Sequence, residues 1–141
     1  ILGGLHPQAL FARNVRREDE HLHPLTSGAK VLQVENEHPE VRLGGPTRGW
    51  ADEACTASEQ MIAQAGKVKT PVLVLQAGED TAVTPEGQDQ FCAALAQGSG
   101  AQCEGGKPMK IDGARHELLI EADAHRVPVM TAILAFFARQ R

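Results

Sequence analysis

Two segments with the pattern of buried strands stand out in this chain, and both lie in its second half. The first is a continuous apolar run over residues 72–75, all valine or leucine, and the second covers residues 108–111, which include Lys110. Runs of this length are typical of parallel strands covered on both faces. A helical pattern follows each run, so residues 67–141 are predicted to form strand–helix–strand–helix. Two parallel strands rarely make a stable sheet, which indicates the edge of a larger one.

Two helices are predicted in this half. Thr84 is a suitable cap and Pro85 suits the first helical position, so a helix is expected to begin there and to end at Gly98. The last helix is expected from about Asp123 or Val127 to Arg139, with a restart at Pro128 because proline disrupts a helix interior. The residues predicted to face inward are Phe91, Ala94 and Leu95 in the first helix, and Met130, Ile133, Leu134 and Phe137 in the last.

The first half is predicted to be loop and helix. Residues 6–24 are polar and indicate a loop, after which Thr26 or Ser27 could cap a short helix ending before Pro39. A turn is expected at residues 44–46, and Thr47 is the expected cap of a longer helix that ends at Gly66. The face of that helix predicted to be buried consists of Trp50, Ala54, Ser58, Met61 and Ala65.

Composition narrows the classes of partner and cofactor. The 141 residues contain 14 basic and 18 acidic side chains, so the chain lacks the excess of basic residues that is typical of nucleic-acid binding. No stretch approaches the roughly 20 apolar residues of a membrane-spanning helix. His21 and His23 have a spacing that could chelate a metal, but no second cluster accompanies them, and a solvated loop is the better interpretation. We therefore predict no metal and no cofactor.

The cysteines favour a reducing compartment. Cys55, Cys92 and Cys103 are an odd set without a C-x-x-C pair, which argues against a disulfide framework or a zinc site. A bridge between Cys92 and Cys103 is the pairing that remains open.

The chemistry-bearing residues follow the two strands. Asp80 comes shortly after the first strand and His116 shortly after the second, in the order acid then histidine that α/β-hydrolases use after their serine. As general base, the histidine would take a proton from a serine, while the acid would fix its tautomer. Glu79 is the alternative acid. Either carboxylate could instead cap the following helix, and His116 could be an ordinary loop residue.

The chain resembles the bacterial lysophospholipases, α/β-hydrolases close to the monoacylglycerol lipases. The resemblance covers about residues 20–141 in nearly continuous register. It is carried by Leu43-Gly44-Gly45-Pro46-Thr47-Arg48-Gly49-Trp50, Thr70-Pro71-Val72-Leu73-Val74-Leu75-Gln76-Ala77, Phe91-Cys92, Glu104-Gly105-Gly106 and Gly113-Ala114-Arg115-His116-Glu117.

The resemblance implies a particular fold and function. The expected fold is α/β: residues 67–141 would be the C-terminal part of the α/β-hydrolase core, and residues 1–66 part of a helical cap with a connecting helix. The implied substrates are lysophospholipids or monoacylglycerols, and the implied catalytic residues are Asp80 and His116. A cytoplasmic protein is expected, with any contact with the inner membrane peripheral.

The nucleophile that this family needs is not in the chain. No G-x-S-x-G string occurs, and the nearest approach is Gly98-Ser99-Gly100. The serine and the oxyanion-hole residues are expected in an N-terminal half that precedes Ile1, so the chain by itself is predicted to be inactive. The alternatives are a non-catalytic lipid-binding or interaction module derived from a hydrolase, and one chain of a two-chain enzyme.

Overall fold

A short parallel sheet with helices on both faces forms the centre of the structure. The computed structural model describes residues 26–41, 47–98 and 100–140. The predictions for residues 6–24, for His21 and His23, for the turn at residues 44–46 and for Ser99 lie outside these residues. In chain order the helices and strands are α1 (Ala29–Glu37), α2 (Arg48–Gln64), β1 (Leu75–Ala77), α3 (Pro85–Ala96), β2 (Met109–Ile111) and α4 (Asp123–Ala138).

The two strands pair in parallel, in the register that aligns Leu75 with Met109 and Ala77 with Ile111. Hydrogen bonds extend this pairing toward the start of the chain: the Glu104 N–H donates to the Val72 carbonyl and the Met109 N–H to the Val74 carbonyl. The regular strand therefore begins three residues later than the apolar run predicted. Its bounds depend on where the partner strand lies, which the run itself does not encode.

The side chains of β1 and of the residues before it contribute to two apolar clusters, one on each face of the sheet. On one face, Val72 and Val74 pack against a cluster supplied by the end of α2, by α3 and by the segment before β2: Ala65, Cys92, Leu95, Ala101 and Cys103. On the other face, Ala77 joins Ile111, Ala114 and Val129, the last from α4. Both faces are thus covered, as expected for a parallel strand.

The buried face of α2 agrees with the prediction only in part. Ser58 is buried as predicted, and so is Ala65 directly after the helix. Ala51 is buried although it was not predicted to be, whereas Trp50 is 56% exposed and Met61 is also exposed. The buried residues are small and seven apart, which lets neighbouring backbone approach the helix closely. The capping prediction for this helix is confirmed, because the Thr47 hydroxyl accepts from the Trp50 N–H at 3.2 Å.

Helix α4 contradicts two predictions. It continues through Pro128 without a restart, and both Pro128 and Ala124 are exposed, so water can satisfy the carbonyl that the proline cannot bond. The buried residues are Val129 and Phe136, with Ile133 half-buried. Three of the residues predicted to be buried are exposed instead: Met130, Leu134 and Phe137.

The other two helix caps also differ from the predictions. Helix α1 begins after Gly28, and Thr26 and Ser27 bond to a distant loop instead. Thr84 occupies the cap position of α3 without a side-chain cap bond, while Pro85 begins the helix as predicted. No helix among residues 26–41, 47–98 and 100–140 is long and apolar enough to span a membrane.

Candidate active site

Two turns, one after each strand, place an acid beside a histidine. Parallel strands end at the same edge of a sheet, so the residues that follow β1 and β2 are neighbours. The backbone bonds the turns together directly: the Gly78 N–H donates to the Ile111 carbonyl at 2.9 Å, and the Glu79 N–H to the Ala114 carbonyl at 2.8 Å. The positions of Asp80 and His116 are therefore set by main-chain geometry.

Gly78 makes this close approach possible. A Cβ atom at this residue would lie 2.9 Å from both the Asp112 Cα and the Ile111 carbonyl oxygen. Both neighbours are backbone atoms that cannot rotate away. A side chain at Gly78 would therefore push apart the two turns that carry Asp80 and His116.

The Asp80 carboxylate bonds His116 with one oxygen and its own turn with the other. Its Oδ2 lies 2.8 Å from His116 Nδ1, while Oδ1 accepts from the Ala82 and Val83 N–H groups at 2.8 and 3.0 Å. The Asp80 side chain is 9% exposed and the His116 side chain 34%. With Nδ1 bonded to the carboxylate, Nε2 is the ring nitrogen that could exchange a proton with a substrate or a nucleophile.

The alternative acid does not make this contact. Glu79 is exposed, and its backbone N–H bonds Ala114. Asp80 is thus the carboxylate that the structure places on His116. The two residues singled out from the sequence lie together, although 36 residues separate them.

The serines in the described part of the chain are engaged elsewhere. Ser58 donates to the Ala54 carbonyl within α2 at 2.7 Å, and the Ser27 hydroxyl donates to the Glu121 carboxylate. Neither therefore completes a triad with His116. The described residues also contain no group of three or more His, Cys, Asp or Glu side chains that could hold a metal ion.

Sequence reasoning missed one residue beside this site. Glu121 is a buried carboxylate in the loop that carries His116, and it accepts hydrogen bonds from Arg115, Ser27 and Ala122. Burial alone raises the pKa of the Glu121 carboxyl, but the hydrogen bonds from Ser27, Arg115 and Ala122 outweigh it and hold the pKa below its usual range. A lone glutamate between an apolar turn and a helix gives no signal of this role in the sequence.

Comparison with known proteins assigns the family. A family model described as "Serine aminopeptidase, S33" matches residues 1–123. The chain belongs to this family of α/β-hydrolases.

Two similar proteins are named as lysophospholipases. Lysophospholipase L2 of Escherichia coli strain K12 is 45% identical over 108 residues, which are 77% of this chain and 32% of that protein. Probable lysophospholipase L2 of Haemophilus influenzae is 28% identical over 104 residues, which are 74% of this chain and 31% of that protein. The chain thus spans about a third of the length of these curated relatives, and the resemblance to bacterial lysophospholipases is confirmed.

Proposed function

We propose that the complete gene product is a carboxylic-ester hydrolase of the lysophospholipase or monoacylglycerol lipase type, and that this chain supplies its acid and its histidine. The observation that carries the proposal is the hydrogen bond between Asp80 Oδ2 and His116 Nδ1 at the ends of two adjacent parallel strands. Membership of a serine-hydrolase family and the names of the similar proteins support it.

The hydrogen bond with Asp80 prepares His116 to act as a general base. Asp80 accepts the Nδ1–H of His116 and so holds the tautomer in which Nε2 has a free lone pair. Nε2 then takes the proton of a serine hydroxyl as the serine oxygen attacks the ester carbonyl. The protonated ring returns that proton to the departing alcohol, leaving an acyl-enzyme. Water enters by the same route, with His116 again as the base, and releases the fatty acid.

The serine and the oxyanion-hole N–H groups of this scheme belong to residues that precede Ile1 in the complete gene product. The division into a helical cap segment, residues 1–66, and a core portion, residues 67–141, is part of the same proposal. No metal or organic cofactor has a role in it, because the histidine and the acid supply the proton transfers. Contact with a membrane would be peripheral, at the surface from which a lysophospholipid is taken.

A non-catalytic lipid-binding module is the competing interpretation. The lack of a nucleophile motif in these 141 residues favours it. The engagement of both oxygens of Asp80 argues for catalysis instead, because binding alone has no need of an oriented imidazole.

If the serine lies on a separate polypeptide, that partner should co-purify and should carry a G-x-S-x-G string.

The deciding experiment measures hydrolysis by the purified complete gene product. The substrates should be a lysophospholipid, a monoacylglycerol, a diacyl phospholipid and an aminoacyl anilide, the last because the family description names an aminopeptidase. We expect cleavage of the first two, abolished by a fluorophosphonate that labels one serine. Cleavage of the anilide alone would assign a peptidase. Lipid binding without any cleavage would assign the non-catalytic module.

The same assay tests the prediction for the isolated chain. The 141-residue polypeptide should hydrolyse none of these substrates, since loss of a triad serine typically lowers turnover by about 10⁶-fold. Hydrolysis by this polypeptide that a fluorophosphonate inhibits would contradict the prediction and would require a nucleophile among its own residues.

A further inference from the structure

We propose that Glu121 is a positioning residue: its buried carboxylate fixes the loop that carries His116 and fastens that loop to residues 26–28, which lead into α1. This proposal deepens the proposed function, because it concerns the histidine that would transfer the proton. The loop runs from the end of β2 at Ile111 to the beginning of α4 at Asp123, and Glu121 lies near its end.

The carboxylate of Glu121 bonds the backbone next to the histidine. Its Oε1 accepts from the N–H of Arg115, the residue before His116, at 2.6 Å. The residue as a whole is 3% exposed. A short bond from a buried carboxylate to an adjacent peptide group restricts where the His116 backbone can move.

The other oxygen fastens the distant segment. Oε2 accepts from the N–H of Ser27 at 2.7 Å, from the Ser27 hydroxyl and from the N–H of Ala122 at 3.1 Å. The two oxygens together thus bond Arg115, Ser27 and Ala122. A buried ionised carboxylate is tolerated when it is hydrogen-bonded in this way.

Two more hydrogen bonds join residues 26–28 to the same loop, and a third lies within residues 26–28. The Thr26 hydroxyl donates to the Ile120 carbonyl at 2.9 Å and accepts from the Gly28 N–H at 2.9 Å. Arg115 Nη1 donates to the Thr26 carbonyl at 3.3 Å. A Cβ atom at Gly28 would lie 2.1 Å from the Ile120 carbonyl oxygen, so this approach requires glycine.

The consequence concerns geometry at the histidine ring. Asp80 holds Nδ1 from the side of β1, and the Glu121 carboxylate holds the N–H of the preceding residue, Arg115, from the side of α4. With Glu121 neutralised, the restraint on the backbone beside His116 is weakened, while the hydrogen bond between Asp80 and the ring remains. A displacement of about 1 Å can lower turnover by about 100-fold.

The test compares Glu121→Gln with a matched control in the complete gene product. Glutamine keeps the size of the side chain but turns an NH₂ group toward N–H donors, so it cannot accept all of these bonds. The control is Asp123→Asn, the same change of charge two residues away, on an exposed carboxylate whose side chain pairs with Arg126 at 2.6 Å. The mild variant Ser27→Ala removes the hydroxyl donor alone.

Two readouts separate positioning from general structure. For Glu121→Gln we expect kcat to fall about 10- to 100-fold with little change in KM. In ¹⁵N-histidine-labelled protein, the low-field proton resonance of the His116 Nδ1–H should weaken or broaden. Ser27→Ala should give a smaller loss of the same kind, and Asp123→Asn should match the wild type in both readouts.

The outcomes separate this proposal from the proposed function. Wild-type kcat and an unchanged His116 resonance in Glu121→Gln would overturn the positioning role. If that variant does not fold, Ser27→Ala decides by the same two readouts, and an unchanged resonance there would overturn the proposal. If the wild type cleaves none of the substrates, the proposed function fails, while the resonance still shows whether Glu121 orients His116.

Discussion

At the scale of single residues, Asp80 is held by three hydrogen bonds. One oxygen is fixed by two backbone N–H groups of its own turn, which leaves the other aimed at His116. A carboxylate held in this way needs no reorganisation when the imidazole becomes charged, and this preorganisation is a large contribution to catalysis.

Asp80→Asn should therefore lower kcat of the complete gene product by about 10⁴-fold, the loss that the equivalent change produces in serine proteases. The amide would donate to Nδ1 and stabilise the wrong tautomer of His116. Glu79→Gln serves as the comparison, since Glu79 is exposed and is the neighbouring carboxylate. Steady-state kinetics on both variants provides the measurement. A larger loss of kcat in Glu79→Gln than in Asp80→Asn would assign the acid role to Glu79.

The lowered pKa of Glu121 predicts how stability changes with pH. A carboxyl whose folded pKa lies below its unfolded value of about 4.3 stabilises the protein above that pH and ceases to do so as the pH falls through the folded value. At neutral pH, Glu121→Gln should cost about 1–3 kcal/mol because buried N–H donors lose their acceptor. The difference in melting temperature between wild type and variant should shrink below about pH 4. A difference that stays constant from about pH 7 to about pH 3 would contradict this.

At the scale of secondary-structure elements, a disulfide between Cys92 and Cys103 ties α3 to the segment that precedes β2. Both cysteines are buried in the apolar cluster between α3 and the sheet. The pairing left open by the sequence is therefore formed. Disulfides are rare in reducing compartments, so the state of this pair in cells tests the prediction of a cytoplasmic protein.

Reduction of this disulfide should lower the free energy of unfolding of the complete gene product by about 3 kcal/mol. The bridge closes a short loop and so lowers the conformational entropy of the unfolded chain, and reduction restores that entropy. The double variant Cys92→Ala/Cys103→Ala should unfold at a lower temperature and should not respond to reductant. Cys55→Ser, at the free cysteine, should respond as the wild type does. Trapping thiols in intact cells by alkylation, followed by mass spectrometry, measures the state of the pair directly. Full alkylation of Cys92 would contradict the bridge.

At the scale of the whole molecule, α4 is apolar on two faces and is covered on one. Val129 and Phe136 pack inward, while the opposite face exposes Val127, Met130, Leu134 and Phe137. A helix that is apolar all round is typical of one buried on every side. The chain spans about a third of the length of its curated relatives, and we expect the N-terminal residues of the proposed complete protein to cover this face.

Leu134→Ala tests that expectation. Leu134 is 64% exposed in the structure, where substitution should change the free energy of unfolding by no more than about 0.5 kcal/mol. If the face is covered in the complete gene product, the cost should rise to about 2–5 kcal/mol, as for leucines in a core. Denaturant unfolding of the complete gene product distinguishes the two values. Thr131→Ala, at an exposed residue of the same helix, controls for helix propensity.

Local patterns in the sequence were sufficient to predict which elements form and which polar side chains lie beyond the end of each strand. The apolar runs, the cap Thr47 and the opening Pro85 depend on neighbouring residues alone, and each was found close to where it was predicted. The pairing of Asp80 with His116 could also be anticipated, because parallel strands must end at one edge.

Tertiary contacts decided the rest. Which face of α2 and α4 is buried depends on the sizes of the partners that pack there, and periodicity does not encode those sizes. The disulfide and the carboxylate of Glu121 depend on segments that meet only in the folded chain: Ser27 and Glu121 are 94 residues apart. A buried polar residue is identified by its hydrogen-bond partners, and these partners come together only in the folded chain.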